Sequence, residues 1–416
     1  MLSTKLFTLK KTWSMYDLQY GFISTVLIAD FLIIQAPTLL FRSILACLLI
    51  SSFFIPYIRR FTLPALPIFT WLITFYACQF IPLEYRPDHI FVNLLPTLER
   101  ILYGANLSEI ISKHTHPVLD ILAWLPYGVI HFSFPFVLAA LLFIFGPPGS
   151  VKIFGKAFGY MNLAGVLTQL LFPNASPWYE IIYGSTPANY SIPGEAGGLL
   201  RIDEILGLDL YGSTFGTSPL VFGAFPSLHS GCATIEMLFF AYLFPRLKPV
   251  AIFYVMWMWF STMYLTHHYM IDLVGGSIYA ILAFAVAHPF LPQLDKTFTT
   301  RMDYLGVPNW TIGSFVRSIE HDPRDSYKLP ISVDEFELEE EPKEETKVQR
   351  RPEPLRVATS ELYSLRTMEE RETTLSSSSS PALSPSGYWS STSEPTSPIT
   401  PYTPSSGSPR LEFNKP

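Results

Sequence analysis

The sequence has few charged residues and few cysteines. Only 15% of its 416 residues are Asp, Glu, Lys or Arg, whereas a soluble domain averages about 25%. The formal charge is −6, so there is no basic excess of the kind that binds nucleic acid. The cysteines, Cys47, Cys78 and Cys232, each lie in an apolar stretch and fit no disulfide framework. This composition excludes a soluble cytosolic enzyme, a nucleic-acid-binding protein and a disulfide-stabilised scaffold.

Apolar residues are abundant instead: they make up 49% of the chain, and the mean hydropathy is +0.29. A membrane-spanning helix needs about 20 mostly apolar residues. Eight stretches approach that length: 19–36, 39–57, 62–81, 121–145, 152–172, 227–244, 249–267 and 271–292. We therefore predict an all-α polytopic membrane protein with a six-helix core bundle and eight spans in total. Asp30 and Arg42 interrupt the first two stretches, which form either a hairpin or an interfacial helix followed by a span.

Basic residues lie at the ends of alternate stretches. They are Lys5, Lys10, Lys11, Arg59, Arg60, Lys152, Lys156, Arg246, Lys248, Lys296 and Arg301. Short cytosolic loops favour Lys and Arg. This distribution predicts a cytosolic N-terminus (1–18), a transmembrane domain (19–296) and a cytosolic tail (297–416). Segments 82–120 and 173–226 then lie on the opposite side.

The two long segments and the tail differ in character. Segment 173–226 is rich in Pro, Gly, Tyr and Trp, which predicts an ordered cap over the helices. Segment 82–120 contains a helical pattern with Leu95 and Ile101 on one side, which suits the membrane interface. The tail is acidic and then Ser/Pro-rich, so it buries too little apolar surface to order itself. We predict that it is largely disordered.

Ionisable residues converge at one end of three predicted spans. His229 opens the sixth stretch, and His268 and Asp272 lie where the seventh meets the eighth. Residues four apart share a helix face, so Asp272 is expected to accept the Nδ1–H of His268 and leave Nε2 as a nucleophile. A His-x-x-x-Asp spacing by itself more often marks a structural ion pair. The nearby His229 favours a catalytic role, and His267 points elsewhere.

The residues before His229 predict a helix start that binds an anion. Pro226 and Ser227 suit the first turn of a helix, whose free N–H groups attract phosphate. A phosphate there meets these groups, the Ser227 hydroxyl and His229 as proton donor. The pattern predicts two histidines flanking a phosphorus atom. No His/Cys cluster has metal-site spacing, so we expect no metal and no cofactor.

Pro-Ser-x-His followed by His-x-x-x-Asp resembles the phosphatidic acid phosphatase type 2 superfamily of lipid phosphatases and phosphotransferases. Longer stretches between about 90 and 292, among them LPTLERILYGANLS, PANYSIPGEAGGLLRID and MYLTHHYMIDLVGG, resemble the fungal inositol phosphorylceramide synthases, the targets of aureobasidin A. The resemblance implies that His229, His268 and Asp272 are catalytic. It also implies a Golgi enzyme with a luminal active site and a small regulatory membrane subunit. The implied reaction moves phosphoinositol from phosphatidylinositol to the C1 hydroxyl of ceramide and releases diacylglycerol.

One departure from the wider superfamily bears on the substrate. Its phosphatases carry Ser-Arg before the third-motif histidine, where this sequence has Ser261 and Thr262. A phosphodiester carries one negative charge, so the missing guanidinium fits a diester donor better than a phosphomonoester. Arg201 is the candidate for the remaining positive charge, or else a surface arginine. Asn189 and Tyr190 are candidates for contacts with inositol hydroxyls.

Some interpretations remain open at this stage. His131 and Phe132 lie in the fourth stretch, where the histidine either bonds a backbone carbonyl or, with Phe132, contacts lipid chains or an inhibitor. A lipid phosphate phosphatase is one alternative function, and the missing arginine argues against it. A non-enzymatic transporter or scaffold is another. In a transporter, polar residues would extend through the membrane midplane, whereas here they cluster at one face.

Overall fold

The computed structural model describes residues 18–306 and 311–312, in which the regular elements are helices and the only strand-like features are isolated bridges. The helices before the middle of the chain are α1 (Leu18–Ile33), α2 (Leu39–Ser52), α3 (Pro56–Ala77), α4 (Leu94–Tyr103), α5 (Leu107–Ser112), α6 (Pro117–Trp124), α7 (His131–Phe145) and α8 (Ser150–Leu171). Those that follow are α9 (Pro177–Tyr183), α10 (Leu200–Leu206), α11 (Tyr211–Gly216), α12 (Leu228–Leu243), α13 (Lys248–Tyr264), α14 (Met270–Ala287) and α15 (Arg301–Tyr304). The all-α prediction is confirmed for this part of the chain.

Helix α12 is the centre of a helical bundle. It contacts α7, α8, α13 and α14, while α8 also packs along α3. A buried apolar cluster fills the bundle: Leu138, Leu142, Phe154, Phe158, Met161, Ile235, Phe239 and Ala280. Because lipid is as apolar as these side chains, close packing rather than removal from water holds such helices together. Helix α1 also packs against α3, and the count of six core helices stays a prediction.

Two glycines permit close helix contacts. A Cβ atom on Gly159 of α8 would lie 2.5 Å from the backbone nitrogen of Ile68 in α3. A Cβ atom on Gly276 of α14 would collide with the carbonyl oxygen of Ser227, directly before α12. The contact at Gly276 brings the start of α12 against the first turns of α14, and small residues at helix interfaces commonly serve this purpose.

The outer surface of the bundle is that of a membrane protein. Within residues 18–306 and 311–312, three helical segments are long and apolar enough to cross a membrane: Pro56–Phe80, Pro117–Phe145 and Met270–Phe290. Helices α1, α2 and α12 are apolar but shorter. Large apolar side chains face outward, with Phe136 78% and Val286 71% exposed. A continuous apolar surface of this kind suits contact with lipid.

The ionisable residues in the first two apolar stretches have partners. Asp30, which is 4% exposed, accepts a hydrogen bond from the Thr74 hydroxyl at 2.7 Å. Arg42 donates to the carbonyl oxygen of Phe31 at 3.0 Å and lies over its ring. These contacts offset the cost of placing polar groups among apolar ones. The two stretches form separate helices, of 16 and 14 residues.

Segments 82–120 and 173–226, which we call the cap segments, pack where α13 ends and α14 begins. One buried cluster joins them through Ile90, Trp178 and Phe222. A second cluster places Leu199, directly before α10, against Tyr264 of α13. The aromatic composition of 173–226 thus has a packing role.

Only part of the predicted apolar side of α4 faces the protein interior. Leu95 is 2% exposed, but Ile101 is 71% exposed, and Glu99 is buried in its place. The start of the predicted tail carries α15, where the Arg301 guanidinium lies 4.6 Å from the centre of the Phe143 ring. The rest of the predicted tail, apart from 311–312, and residues 1–17 lie outside the described residues.

Candidate active site

The two predicted histidines and the aspartate form one hydrogen-bonded row. His268 Nδ1 lies 3.1 Å from Asp272 Oδ2, and His268 Nε2 lies 3.3 Å from His229 Nδ1. Asp272 is fully buried and His268 is 6% exposed. The structure therefore brings together three residues that the sequence places on different elements.

The contact between His268 and Asp272 comes from a turn rather than from one helix face. Helix α13 ends at Tyr264 and α14 begins at Met270, so His268 precedes the helix that carries Asp272. Within the turn, Thr266 has a φ of 64°, a conformation that is sterically costly for a β-branched residue. The backbone N–H of His268 donates to the carbonyl oxygen of Thr262 at 3.3 Å. This turn directs the imidazole onto the first turn of α14.

The order of hydrogen bonds assigns the protons on the two rings. An ionised Asp272 only accepts, so Nδ1 of His268 carries the proton and Nε2 keeps a lone pair. His229 then donates its Nδ1–H to that lone pair. The nitrogen with the lone pair is the one that a nucleophilic histidine needs, and a carboxylate holds the ring in place from behind.

A cavity of about 170 Å³ adjoins this row, and we call it the histidine cavity. His229, His267 and His268 line it together with Leu228, the first residue of α12. Ser227 is fully buried and is not among the lining residues. Its hydroxyl accepts the Ser230 N–H at 3.2 Å as the N-cap of α12, so it orders the helix start rather than contacting the cavity.

Tyr127 is a site residue that the sequence patterns did not reveal. It lies in a π-helical turn, Leu125–Ile130, between α6 and α7, and such turns are frequent at functional sites. Its ring stacks on His229 at 4.3 Å and on His267 at 5.4 Å between ring centres. The available signal was Pro-Tyr-Gly inside an otherwise apolar span.

The same turn positions the histidine of the fourth stretch. The ring centre of His131 lies 4.7 Å from that of His229, and its buried Nδ1 has no hydrogen-bond partner within the described residues. Phe132 packs against His131 but is 63% exposed on the outer surface. His131 thus lies beside His229 at the end of the histidine row, whereas Phe132 faces outward.

The other predicted binding residues lie away from the histidine cavity. Arg201 donates its Nε–H to Asp120 at 2.7 Å, and its guanidinium lies over Tyr264. Asn189 is exposed and accepts a local backbone N–H at 2.9 Å. Tyr190 donates its hydroxyl to a backbone carbonyl at 3.0 Å. None of the three predicted residues lines the histidine cavity.

Glu99 anchors the turn that carries His268. Its carboxylate accepts the N–H of Met270, the first residue of α14, at 2.8 Å. The side chain is fully buried, and its second oxygen has no hydrogen-bond partner within the described residues. Burial raises the pKa of Glu99 to about 7.

No group of three or more His, Cys, Asp or Glu residues in the described ranges is arranged to hold a metal ion.

Comparison with known proteins identifies the family of the chain. The PAP2 superfamily matches residues 97–286, a range that includes His131, His229, His268 and Asp272. An inositol phosphorylceramide synthase from Candida albicans is 46% identical over 327 residues, 78% of this chain and 68% of that protein. The inositol phosphorylceramide synthase catalytic subunit of Schizosaccharomyces pombe is 50% identical over 70% of this chain and 69% of that protein. The catalytic subunit of Saccharomyces cerevisiae is 45% identical over 77% of this chain and 79% of that protein. No solved structure gives a significant match. With these identities extending over more than two thirds of each relative, the chain belongs to the inositol phosphorylceramide synthase family.

Proposed function

We propose that this protein transfers phosphoinositol from phosphatidylinositol to the C1 hydroxyl of ceramide and releases diacylglycerol. The observation that carries the proposal is the row Asp272–His268–His229 beside a cavity, in a member of this family. Both substrates are lipids, and the apolar outer surface of the bundle gives them access from the membrane.

The proposed chemistry is a double displacement. Nε2 of His268 attacks the phosphorus, and the bond from phosphorus to the diacylglycerol oxygen breaks. Protonated His229 gives its proton to that oxygen. The C1 hydroxyl of ceramide then loses its proton to His229 and attacks the phosphorus, which breaks the bond to His268. Asp272 stabilises the positive charge that His268 carries as the phosphorylated intermediate.

The free-state geometry fits a site that opens when the donor binds. The two histidine nitrogens lie at hydrogen-bond distance, so the phosphoryl group enters by replacing that hydrogen bond. Tyr127 stacks on His229 and limits the directions in which the ring turns. His131, on the other side of the same π-helical turn, is proposed to contact the lipid chains or an inhibitor together with Phe132.

The orientation and setting are part of the proposal. From the distribution of basic residues we propose eight spans, cytosolic termini and a luminal site in the Golgi membrane. We also propose a small regulatory membrane subunit as partner.

In sealed Golgi vesicles, a single cysteine near Ser390, in a protein without its native cysteines, is expected to react with an impermeant thiol reagent. Protection until detergent is added would mean the opposite orientation.

Lipid products test the proposed reaction directly. Purified protein in lipid nanodiscs, given phosphatidylinositol and fluorescent ceramide, is expected to form a fluorescent inositol phosphorylceramide that chromatography separates. Phosphatidic acid is expected to release negligible inorganic phosphate, because the buried Thr262 stands where a phosphatase has arginine. Robust phosphate release without transfer to ceramide would favour a lipid phosphate phosphatase.

A further inference from the structure

The donor headgroup carries a negative charge, and the cap segments contain four basic residues that are candidates to balance it. Three of them are already held by carboxylates: Arg100 by Glu180 at 2.5 Å, Lys113 by Glu109 at 2.8 Å and Arg201 by Asp120 at 2.7 Å. The fourth, Arg86, has no carboxylate within ion-pair distance in the described part of the chain. Arg86 is therefore the cap cation whose charge is left for a ligand.

Arg86 lines a second cavity, of about 150 Å³, which we call the Arg86 cavity. Four residues border both this cavity and the histidine cavity: Gln169, Ser218, Leu220 and Val221. The two cavities are therefore neighbours that share a wall. A ligand that extends past these four residues would place its phosphorus in the histidine cavity and its attached group in the Arg86 cavity.

The protein holds the Arg86 guanidinium in place before any ligand arrives. Its Nη2 donates to the carbonyl oxygen of Cys78 at 2.8 Å, and its Nε donates to that of Ile81 at 3.1 Å. The group also lies 5.2 Å from the centre of the Tyr190 ring. Nη1 makes no hydrogen bond within the described residues. A preorganised cation loses less conformational entropy when it binds an anion.

We propose that the Arg86 cavity binds the inositol ring of the donor headgroup and that Arg86 balances the charge of its phosphate. This inference rests on the proposed phosphoinositol transfer. A cavity of about 150 Å³ is large enough to hold a six-membered ring. Gln79, Tyr190 and Ser218 add polar groups to its wall, which suits a polyol rather than an acyl chain.

The test compares Arg86→Gln and Gln79→Leu with Lys113→Gln in the full chain in nanodiscs. Lys113→Gln removes one positive charge from an exposed ion pair with Glu109 of α5, so it is the matched control. Arg86→Gln is expected to raise KM for phosphatidylinositol about tenfold to a hundredfold, the range for a hydrogen bond to a charged group. KM for ceramide is expected to change less than about twofold. Gln79→Leu is expected to raise KM for the donor by a smaller factor. Lys113→Gln is expected to change neither the KM for phosphatidylinositol nor the KM for ceramide.

A direct binding measurement separates this inference from the proposed reaction. Inositol 1-phosphate is titrated into the wild type and each variant, with thermal unfolding as the check on folding. The expected result is weaker binding in Arg86→Gln, partly restored in Arg86→Lys. A purely structural role of Arg86 would lower the melting temperature and leave the affinity of folded protein unchanged.

The binding and transfer measurements test the subsite and the proposed reaction separately. Wild-type affinity for inositol 1-phosphate in folded Arg86→Gln and Gln79→Leu overturns the subsite. If Arg86→Gln does not fold, Gln79→Leu tests the subsite by itself, because Gln79 does not hold the Cys78 and Ile81 carbonyls. If the wild type transfers no phosphoinositol to ceramide, the proposed function fails, and the binding titration still decides whether the Arg86 cavity takes the headgroup.

Discussion

Replacing Asp272 by Asn tests whether the carboxylate stabilises a positive charge on His268. The substitution keeps the size of the side chain and the backbone carbonyl that accepts the Ser227 N–H at 3.0 Å. It removes one negative charge 3.1 Å from Nδ1 of His268, at a fully buried position. At that separation and an effective dielectric constant of ~20, opposite unit charges attract by about 5 kcal/mol.

This energy is lost mainly when His268 becomes cationic, so it is expected to appear in the rate rather than in substrate binding. A barrier higher by about 5 kcal/mol slows a reaction by about 10³–10⁴-fold, which matches the effect of the same change in a Ser-His-Asp triad. The assay is transfer of phosphoinositol to fluorescent ceramide at saturating donor. We expect kcat to fall by that factor with little change in KM.

A matched control separates this effect from a general loss of folding. Asp209→Asn makes the same chemical change at an exposed carboxylate that accepts the Ser213 N–H at 3.2 Å, and it is expected to retain activity within about twofold. Thermal unfolding in nanodiscs checks both variants. If folded Asp272→Asn keeps more than a tenth of the wild-type kcat, Asp272 has no important electrostatic role and the reasoning above is wrong.

Further predictions concern the two histidines, pH and metals. His229→Ala is expected to form an acid-labile phosphoinositol-enzyme from an activated aryl phosphodiester of inositol, because that donor needs no protonation of its leaving group. His268→Ala is expected to form none. Labelling of His268→Ala but not of His229→Ala would mean that the two histidines have the opposite roles. Burial raises the pKa of Glu99 from 4.5 to about 7, so its ionisation lowers stability progressively as pH rises through that range. Glu99→Gln is therefore expected to raise the melting temperature relative to wild type more at pH 8 than at pH 5, and an equal difference at both pH values would contradict this. Activity is expected to survive EDTA, because His229, His268 and Asp272 suffice for the proposed steps; a loss that a divalent ion restores would count against the mechanism.

Hydropathy predicted where helices lie better than where they end. The stretch 62–81 corresponds to α3, which begins earlier, at Pro56. The reason is that Arg59 and Arg60 lower the hydropathy but continue the helix, since long basic side chains reach away from apolar surroundings. The stretch 249–267 ends at Tyr264 instead, because the left-handed Thr266 breaks the helix. A backbone conformation of this kind has no signature in hydropathy.

The candidate charge partner shows a second limit of reasoning from sequence. Arg201 and Arg86 both lie in the cap segments and carry the same charge, so sequence alone does not rank them. The fold pairs Arg201 with Asp120, 81 positions away along the chain, and leaves Arg86 beside a cavity. Long-range pairing of this kind depends on how the segments pack, and composition carries no record of it.

The sequence by itself determined the membrane character, the helical class and the three residues of the histidine row. Long apolar runs in lipid have few alternatives to helices, and ionisable residues in such runs are costly enough to mark function. Only the tertiary structure decided how that row is completed. The Gly276 contact, the Thr266 turn and the Tyr127 π-helical turn set the distances between His229, His268 and His131, because such distances depend on close packing between segments far apart in the chain.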